Sequence, residues 1–480
     1  MFKMKPLSFA MLLLALGSYS VNAKPVSSLK EAAEAAVLNN PEVLAKWHDY
    51  SASVEEQGVA RSGYFPKVDL TLSTGREHLE TPTTPATSYN RNGGTITLRQ
   101  MIFDGLFTPN QVKQLGYVKL AKYYDLLSTT DDTVLEVTRA YLDVLRYRKL
   151  VELAKDNYAI HKGIFGQIED RVKAGVGRRV DLEQASGRMA LAESNWLTDA
   201  SNLHDVTARF QRLVGELPAD NLADASSLTE KLPKADDVLQ TALNKNPAFL
   251  SAVANIRAAR ADLEVRKANN LPTLEFRASR ELYHNTDGVS GAHKRSVVEL
   301  VLNYNLFNGG GDSARARQFA ERVNTTLDLR DKACRDIRQT VSIAWNDVSK
   351  LKEQLNYLEQ HQLSTEKARD AYRKQFDIGQ RTLLDLLDTE NELFDARRAL
   401  SNAEFDYQLA QARVLATNSA LVPALNLTPV DRAAPDELGK DASNDDDRAT
   451  CGDMMPAPGS IDTNSVAVPK YTASTSADGS

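Results

Sequence analysis

The sequence predicts a mixed α and β membrane protein built from a tandem repeat. Three observations carry that expectation: an export signal at the N-terminus, landmark residues that recur 204 to 206 positions apart, and, in each copy, short alternating strands followed by a helical pattern of sixty-odd residues. Composition sets the outer bounds. The 480 residues are 42% hydrophobic and 25% charged with a mean hydropathy of −0.39, too polar for a bundle of membrane-spanning helices, each of which needs roughly 20 apolar residues. A polytopic helical membrane protein is excluded. The formal net charge of −6 leaves no sequence-wide basic surface for nucleic acid. Two cysteines, Cys334 and Cys451, cannot make a disulfide framework or a structural zinc site, and both read as unpaired.

Residues 1–23 read as a secretory signal peptide. Lys3 and Lys5 precede an apolar run over 7–16, and Val21-Asn22-Ala23 supplies the small residues of a cleavage site. The mature chain then starts at Lys24, which offers no thiol for a lipid.

Two structural repeats follow, 24–233 and 234–426. Asn39-Asn40-Pro41 recurs as Lys245-Asn246-Pro247, Phe103-Asp104-Gly105 as Phe307-Asn308-Gly309, and Ala174-Gly175 with Val180-Asp181-Leu182 as Ile378-Gly379 with Leu384-Asp385-Leu386. Each copy opens with a helical segment, 29–62 or 235–269, with a proline at the first turn of its main part, where a missing N–H is harmless. Two strands come next. Val68, Leu70 and Leu72 alternate with Lys67, Asp69 and Thr71; Leu274, Phe276, Ala278 and Leu282 alternate with Glu275, Arg277, Ser279 and Glu281; Val298, Leu300, Leu302 and Tyr304 oppose Glu299, Asn303 and Asn305. Thr95 to Phe103 alternates less cleanly. Turn-forming residues over 81–94 and 284–295 predict a long loop inside each hairpin. A proline-free helical pattern then covers 111–173 and 312–377, a rod of roughly 90 to 100 Å at 1.5 Å per residue. Val134, Val137, Tyr141, Val144 and Val151 trace a narrow coiled-coil stripe along the first rod. Glycines at 175 and 177, and at 379, turn the chain into alanine-rich return helices over 181–214 and 383–415. The remainder, 427–480, holds ten acidic and four basic residues among Pro, Ser and Asp and reads as an acidic disordered tail.

Strands with one apolar and one polar face suit an outer-membrane barrel, yet four per chain cannot close one, and an open edge is not tolerated in lipid. Two chains would supply eight strands and three would supply twelve. A soluble domain with small sheets on a helical stalk fits the same pattern.

Together with these features, the run Ile-Gly-Gln-Arg-Thr-Leu-Leu-Asp-Leu-Leu-Asp at 378–388 resembles the TolC family of outer-membrane channel proteins, over residues 29–420. The resemblance implies a homotrimer with a twelve-stranded outer-membrane β-barrel continuous with a long periplasmic α-helical barrel. It places Asp385 and Asp388 at the channel constriction. Three residues apart on a helix, they share a face, and six such carboxylates in a three-fold ring would favour cations and raise one another's pKa. Arg381 forms either an ordinary i,i+4 pair with Asp385 or, by the resemblance, a gate link that also involves Asp181. Phe376 stands where the family often has a hydrogen-bonding aromatic, Val180 where a polar partner is expected, and Gln184 is the first-copy counterpart of Asp388. The hairpin tips, with Gly175, Val176, Gly177, Gly379 and Gln380, are implied docking points for a periplasmic adaptor, although such glycines end helices in any case.

The implied partners are the adaptor and an inner-membrane ABC transporter or proton-driven pump, together with outer-membrane lipid. Gly63-Tyr64-Phe65-Pro66-Lys67-Val68-Asp69-Leu70 looks more like the type I secretion branch, which includes exporters of large adhesins. Multidrug efflux is the alternative, and a soluble periplasmic coiled-coil scaffold the reading from another class. Nothing supports an enzyme, a metal or a cofactor. Gly309-Gly310-Gly311 lacks the lysine of a phosphate loop, and the seven histidines are scattered.

Overall fold

The computed structural model describes residues 25–427, apart from 83, 226–227, 229–230, 235–236 and 287–288, and residues 455–466. The signal peptide expected at 1–23 lies outside the described residues, as does much of the tail. In chain order come α1 (Leu29–Asn39), α2 (Pro41–Arg61), β1 (Lys67–Thr81), β2 (Thr84–Phe103), α3 (Phe107–Lys173) and α4 (Arg179–Val214). The same order of types follows in α5 (Val238–Lys245), α6 (Pro247–Lys267), β3 (Thr273–Thr286), β4 (Val289–Asn303), α7 (Gly311–Asp377) and α8 (Leu383–Thr417), closed by α9 (Leu421–Ala424). Both long helices have 67 residues, about 100 Å each. Among the described residues no helix is long and apolar enough to cross a membrane.

The two Asn-Pro pairs do double work at helix ends. Asn40 Oδ1 accepts from the Glu42 amide and caps α2, while its Nδ2 donates to the Leu213 carbonyl at the end of α4, 3.4 Å away. Asn246 Oδ1 accepts from the amides of Ala248 and Phe249, and its Nδ2 donates to Thr417 O at the end of α8, 3.1 Å away. One side chain thus satisfies an orphan donor of one helix and an orphan acceptor of another.

The four strands make one antiparallel sheet in the order β1-β2-β3-β4. Val68 pairs with Leu98, Leu98 with Ala278 and Ala278 with Val298, so an apolar row crosses all four strands on one face. The opposite face carries Lys67, Arg99, Arg277 and Glu299 in one row, Asp69, Thr97, Ser279 and Val297 in the next, and Thr71, Thr95, Glu281 and Arg295 in the one after. The long loops expected over 81–94 and 284–295 are not present: β1 and β2 run on to Thr81 and Thr84, and β3 and β4 to Thr286 and Val289. The residues that suggested loops are packing against a neighbouring strand. A Cβ on Gly93 would lie 2.2 Å from the Tyr283 ring, so glycine there admits the aromatic of β3 and makes no turn.

The Phe-Asp-Gly landmark forms a strand-to-helix corner. Gly105 has φ +68°, and a Cβ on it would meet the Ala268 carbonyl at 2.7 Å, while Asp104 Oδ2 accepts from the Thr108 amide at 2.7 Å near the start of α3.

The main core lies partway along the helices. Val134, Val137, Tyr141 and Val144 of α3 are fully buried against Ala32 and Ala36 of α1, Phe210 and Val214 of α4, Leu415 of α8 and Leu421 of α9. Each such side chain contributes about 1.5 to 3 kcal/mol by leaving water. The Tyr141 hydroxyl donates to the Ala223 carbonyl at 2.5 Å, satisfying its one polar atom. A second core joins Val238 and Leu239 of α5, Phe249 and Val253 of α6, and Cys334, Ile337 and Val341 of α7.

Two expectations about the C-terminal part change here. Cys334 is disulfide-bonded rather than unpaired; Cys451 lies outside the described residues. Residues 455–466 carry an ordered stretch of the tail, with Met455 packed on the second core and a short 3-10 turn at Thr463–Ser465. Charge content suggested a solvated tail, but this stretch is locally apolar enough, through Met455, to find a packing site.

Candidate functional site at the hairpin tips

Both helical hairpins, α3–α4 and α7–α8, end at the same level and share a small core. Ile164 and Ile168 of α3, Ala185 of α4, Phe376 of α7 and Leu383, Leu386 and Leu387 of α8 bury one another. Phe376 is therefore a packing residue, and the Arg171 guanidinium lies 5.2 Å from its ring centroid.

The turns themselves are built from backbone. In the first, Gly175 has φ +78°, and the amides of Val176 and Gly177 both donate to Arg171 O at 3.0 and 2.9 Å. Val176 is 80% exposed at the apex. In the second, Gly379 has φ +77° and Gln380 N–H donates to Gln375 O at 2.8 Å, leaving Ile378 exposed. Each apex thus presents an apolar side chain to its surroundings.

Asp385 and Asp388, which the sequence places on one face, differ in their partners. Asp385 closes a capping box: its carboxylate accepts from the Thr382 hydroxyl at 2.8 Å and the Thr382 amide at 3.2 Å, and its own amide donates back to Thr382 Oγ1. The Thr382 hydroxyl, then its amide, hold the Asp385 carboxyl below the usual carboxylate range, with Arg381 adding a smaller pull. Within one chain this is opposite to the rise expected from mutual repulsion. Asp388 accepts from Arg188 Nη2 of α4 at 2.5 Å.

Arg381 donates through Nε to Gln375 Oε1 at 3.0 Å, lies over the Tyr372 ring at 4.2 Å, and stands 3.9 Å from Asp385. That last separation is loose beside the Thr382 contacts, so the carboxylate is positioned mainly by the threonine. Asp181 sits in the first turn of α4, where the helix dipole favours its charge.

Sequence reasoning missed a ladder of ion pairs that ties the two hairpins together. Arg188 of α4 pairs with Asp388 of α8; Asp199 of α4, almost fully buried, accepts two bonds from Arg398 of α8; Arg146 of α3 donates to Asp406 of α8 at 2.5 Å. The first two rungs join residues 200 and 199 positions apart. That near-constant offset between opposite charges on the two return helices was the available signal. Between them, buried His161 bonds Asn391 through Nε2 at 3.2 Å, and burial holds its imidazole below the ordinary value.

Residues 32–216 and 238–419 match the family model described as outer membrane efflux protein. The chain is 26% identical to the outer membrane efflux protein BepC of Brucella suis, over 75% of this chain and 78% of that one. It is 24% identical to the outer membrane protein TolC of Escherichia coli, over 89% and 91%, and 26% identical to the alkaline protease secretion protein AprF of Pseudomonas aeruginosa, over 79% and 82%. The solved CmeC outer membrane channel of Campylobacter jejuni superimposes with a TM-score of 0.73 at 14% identity, covering 82% of this chain and 86% of that one. The matched segments take in both hairpins, their tips and the sheet, and on that extent the chain belongs to the outer membrane efflux protein family, as a TolC-like outer-membrane channel protein with a periplasmic helical part.

Proposed function

We propose that three copies of this chain form one export duct, with a twelve-stranded barrel in the outer membrane and a helical tunnel below it. The two-faced sheet carries this reading. Its apolar face, with Leu70, Leu72, Val298, Leu300 and Leu302 all well exposed in a single chain, needs a lipid environment. Among the described residues β1 and β4 each pair on one side only, so their free N–H and C=O groups require neighbouring chains before the sheet enters lipid. Three chains is the number that the resemblance implies.

In this reading Asp385 and Asp388 line the narrowest ring, and Arg381 and Asp181 link neighbouring hairpins when the entrance is shut. The tips with Gly175, Val176, Gly177, Gly379 and Gln380 dock a periplasmic adaptor, which connects the duct to an inner-membrane ABC transporter. The cargo is a secreted protein, a large adhesin being one candidate, as the segment 63–70 and the secretion role in AprF's name both favour. Drug efflux with a proton-driven pump is the second reading, favoured by the efflux role in BepC's name.

Heat-modifiable trimer bands in the outer-membrane fraction test the assembly, and a purely monomeric soluble protein would overturn it. Deleting the gene and comparing the secreted proteins and biofilm with drug sensitivity decides between the cargoes: a secretion and biofilm defect with unchanged drug tolerance is the expected result.

A further inference from the structure

We infer that the outer face of α2 receives α7 of the next copy of the chain, and that Glu55 and Arg317 oppose one another across that seam and discriminate between partners. The inference rests on the reading that several copies assemble, and adds which surfaces meet and what selects them. It comes from comparing the two repeats. α2 and α6 correspond residue for residue at an offset of 206, α3 and α7 at an offset of 204. One face of α6, with Ser251, Ala254, Ala258, Ala261 and Val265, is buried throughout, and Ala268 continues it past the helix end. Three contacts lay that face on the first repeat. The Ser251 hydroxyl donates to Asp125 Oδ1 at 2.6 Å, Ala254 packs with Leu120 and Ala121, and Ala268 and Leu271 close on Gly105. Numbers fall along α3 as they rise along α6, so the two helices are antiparallel.

The matching face of α2 is bare. Ala45, His48, Ala52, Glu55, Val59 and Ser62 are all exposed, as is Phe65, the counterpart of Leu271. The other half of the contact is bare as well: Leu329 stands for Asp125 on α7, Asn324 and Thr325 for Leu120 and Ala121, and all three are exposed. Gly309 has φ +70°, close to the +68° of Gly105, yet a Cβ on it would meet open space where one on Gly105 would meet Ala268 and Leu271. α2 leads into β1 and α7 follows β4, the two outer strands of the sheet. A second copy can therefore bring these faces together at the same place where it pairs the strand edges.

Carried onto that seam, the register of α6 on α3 sets Ala45 on Leu329, His48 beside Asn324 and Thr325, and Phe65 on Gly309. Glu55 lies two turns beyond His48, about 10 Å along the axis, which on an antiparallel partner is level with Arg317. Both are exposed, and among the described residues neither takes part in an ion pair or hydrogen bond within the chain. The counterpart of Glu55 inside the chain is Ala261, so this opposition of charges belongs to the seam between copies.

Two experiments on the full chain in outer membranes test this. Ala45→Cys combined with Leu329→Cys, treated with a short bis-maleimide, should give covalent dimers and trimers on denaturing gels, and neither single variant should. Heat-modifiable trimers that never crosslink there would overturn the seam and leave the assembly standing; a parent protein without trimers would instead remove the reading beneath it. For discrimination, the parent and the double variant Glu55→Arg with Arg317→Glu are tagged differently and co-expressed. Each matches itself, whereas a mixed ring sets Arg against Arg at one seam and Glu against Glu at another. Mixed trimers should fall roughly three- to fivefold below random assortment, the effect of two exposed attractive pairs turned repulsive. Random assortment would overturn the charge pairing.

Discussion

Asp388 and Asp131 show how differently two carboxylates of one chain can be set. The Arg188–Asp388 pair is solvent-accessible on both sides, so it adds about 0.5 kcal/mol or less to stability, and its effect belongs to the charge of the proposed constriction. Arg188→Ala should free Asp388 and strengthen cation selectivity and block by multivalent cations in planar-bilayer recordings, whereas Asp385→Ala with Asp388→Ala should weaken both. If the two variants moved selectivity in the same direction, the assignment of the ring would be lost. Asp131 is buried in α3 and accepts from the Ser419 hydroxyl, and burial pushes its carboxyl up to about 6, against the smaller downward pull of that hydroxyl. An unfolded aspartate releases its proton near 3.9. The native state therefore binds more protons between about pH 4 and 6, and this residue's contribution favours folding below that window and is lost as pH rises through it. Asp131→Asn, which keeps an acceptor for Ser419, should stabilise the protein at pH 7.5 by about 1 to 3 kcal/mol and flatten its thermal stability between pH 4 and 6. A variant as pH-dependent as the parent would refute the assignment. The offset of 200 is the one sequence trace of the Arg188–Asp388 pair, whereas Ser419, 288 positions from Asp131, follows no such offset, and that environment was not legible.

The helices were legible at the element scale because punctuation in the sequence is local. Proline at the first helical position, glycine after the last, and the stripe from Val134 to Val144 are read within one or two turns, and the rods end within a residue of where those signals put them, at Lys173 and Asp377. The hairpins were read too short for the opposite reason. Asn92, Gly93 and Gly94 have low strand propensity, and the ladder to β1 on one side and β3 on the other keeps them extended. The Asn-Pro corners show how much one element end depends on another. Asn40→Ala and Asn246→Ala each remove a cap from one helix and a donor from the end of a second, so each should cost about 1 to 2 kcal/mol. A loss of only a few tenths by denaturant unfolding would mean that water replaces both bonds.

At the scale of the whole molecule, the sheet is the part that a single chain leaves unfinished. Leu300 lies on the apolar face three residues before the end of β4, opposite Phe276. Leu300→Arg should lower barrel stability by about 1 to 3 kcal/mol, less than a midplane position would, if that face meets lipid, while Glu299→Gln on the opposite face should be nearly neutral; equal effects, measured by the temperature at which heat-modifiable trimers dissociate, would contradict a lipid-facing assignment. Alternation along β1, β3 and β4 made the two faces readable from the residues, but the number of chains was not, since a period of two reports which side is apolar and carries no count. The open edges of β1 and β4 have one more consequence. Strand edges recognise one another through backbone groups that every protein shares, so in the proposed ring the backbone of the seam carries no identity, and side-chain pairs across it add only about 0.2 to 1 kcal/mol each. The helical rods, each about 100 Å long, offer far more side-chain surface for a chain to select its own kind.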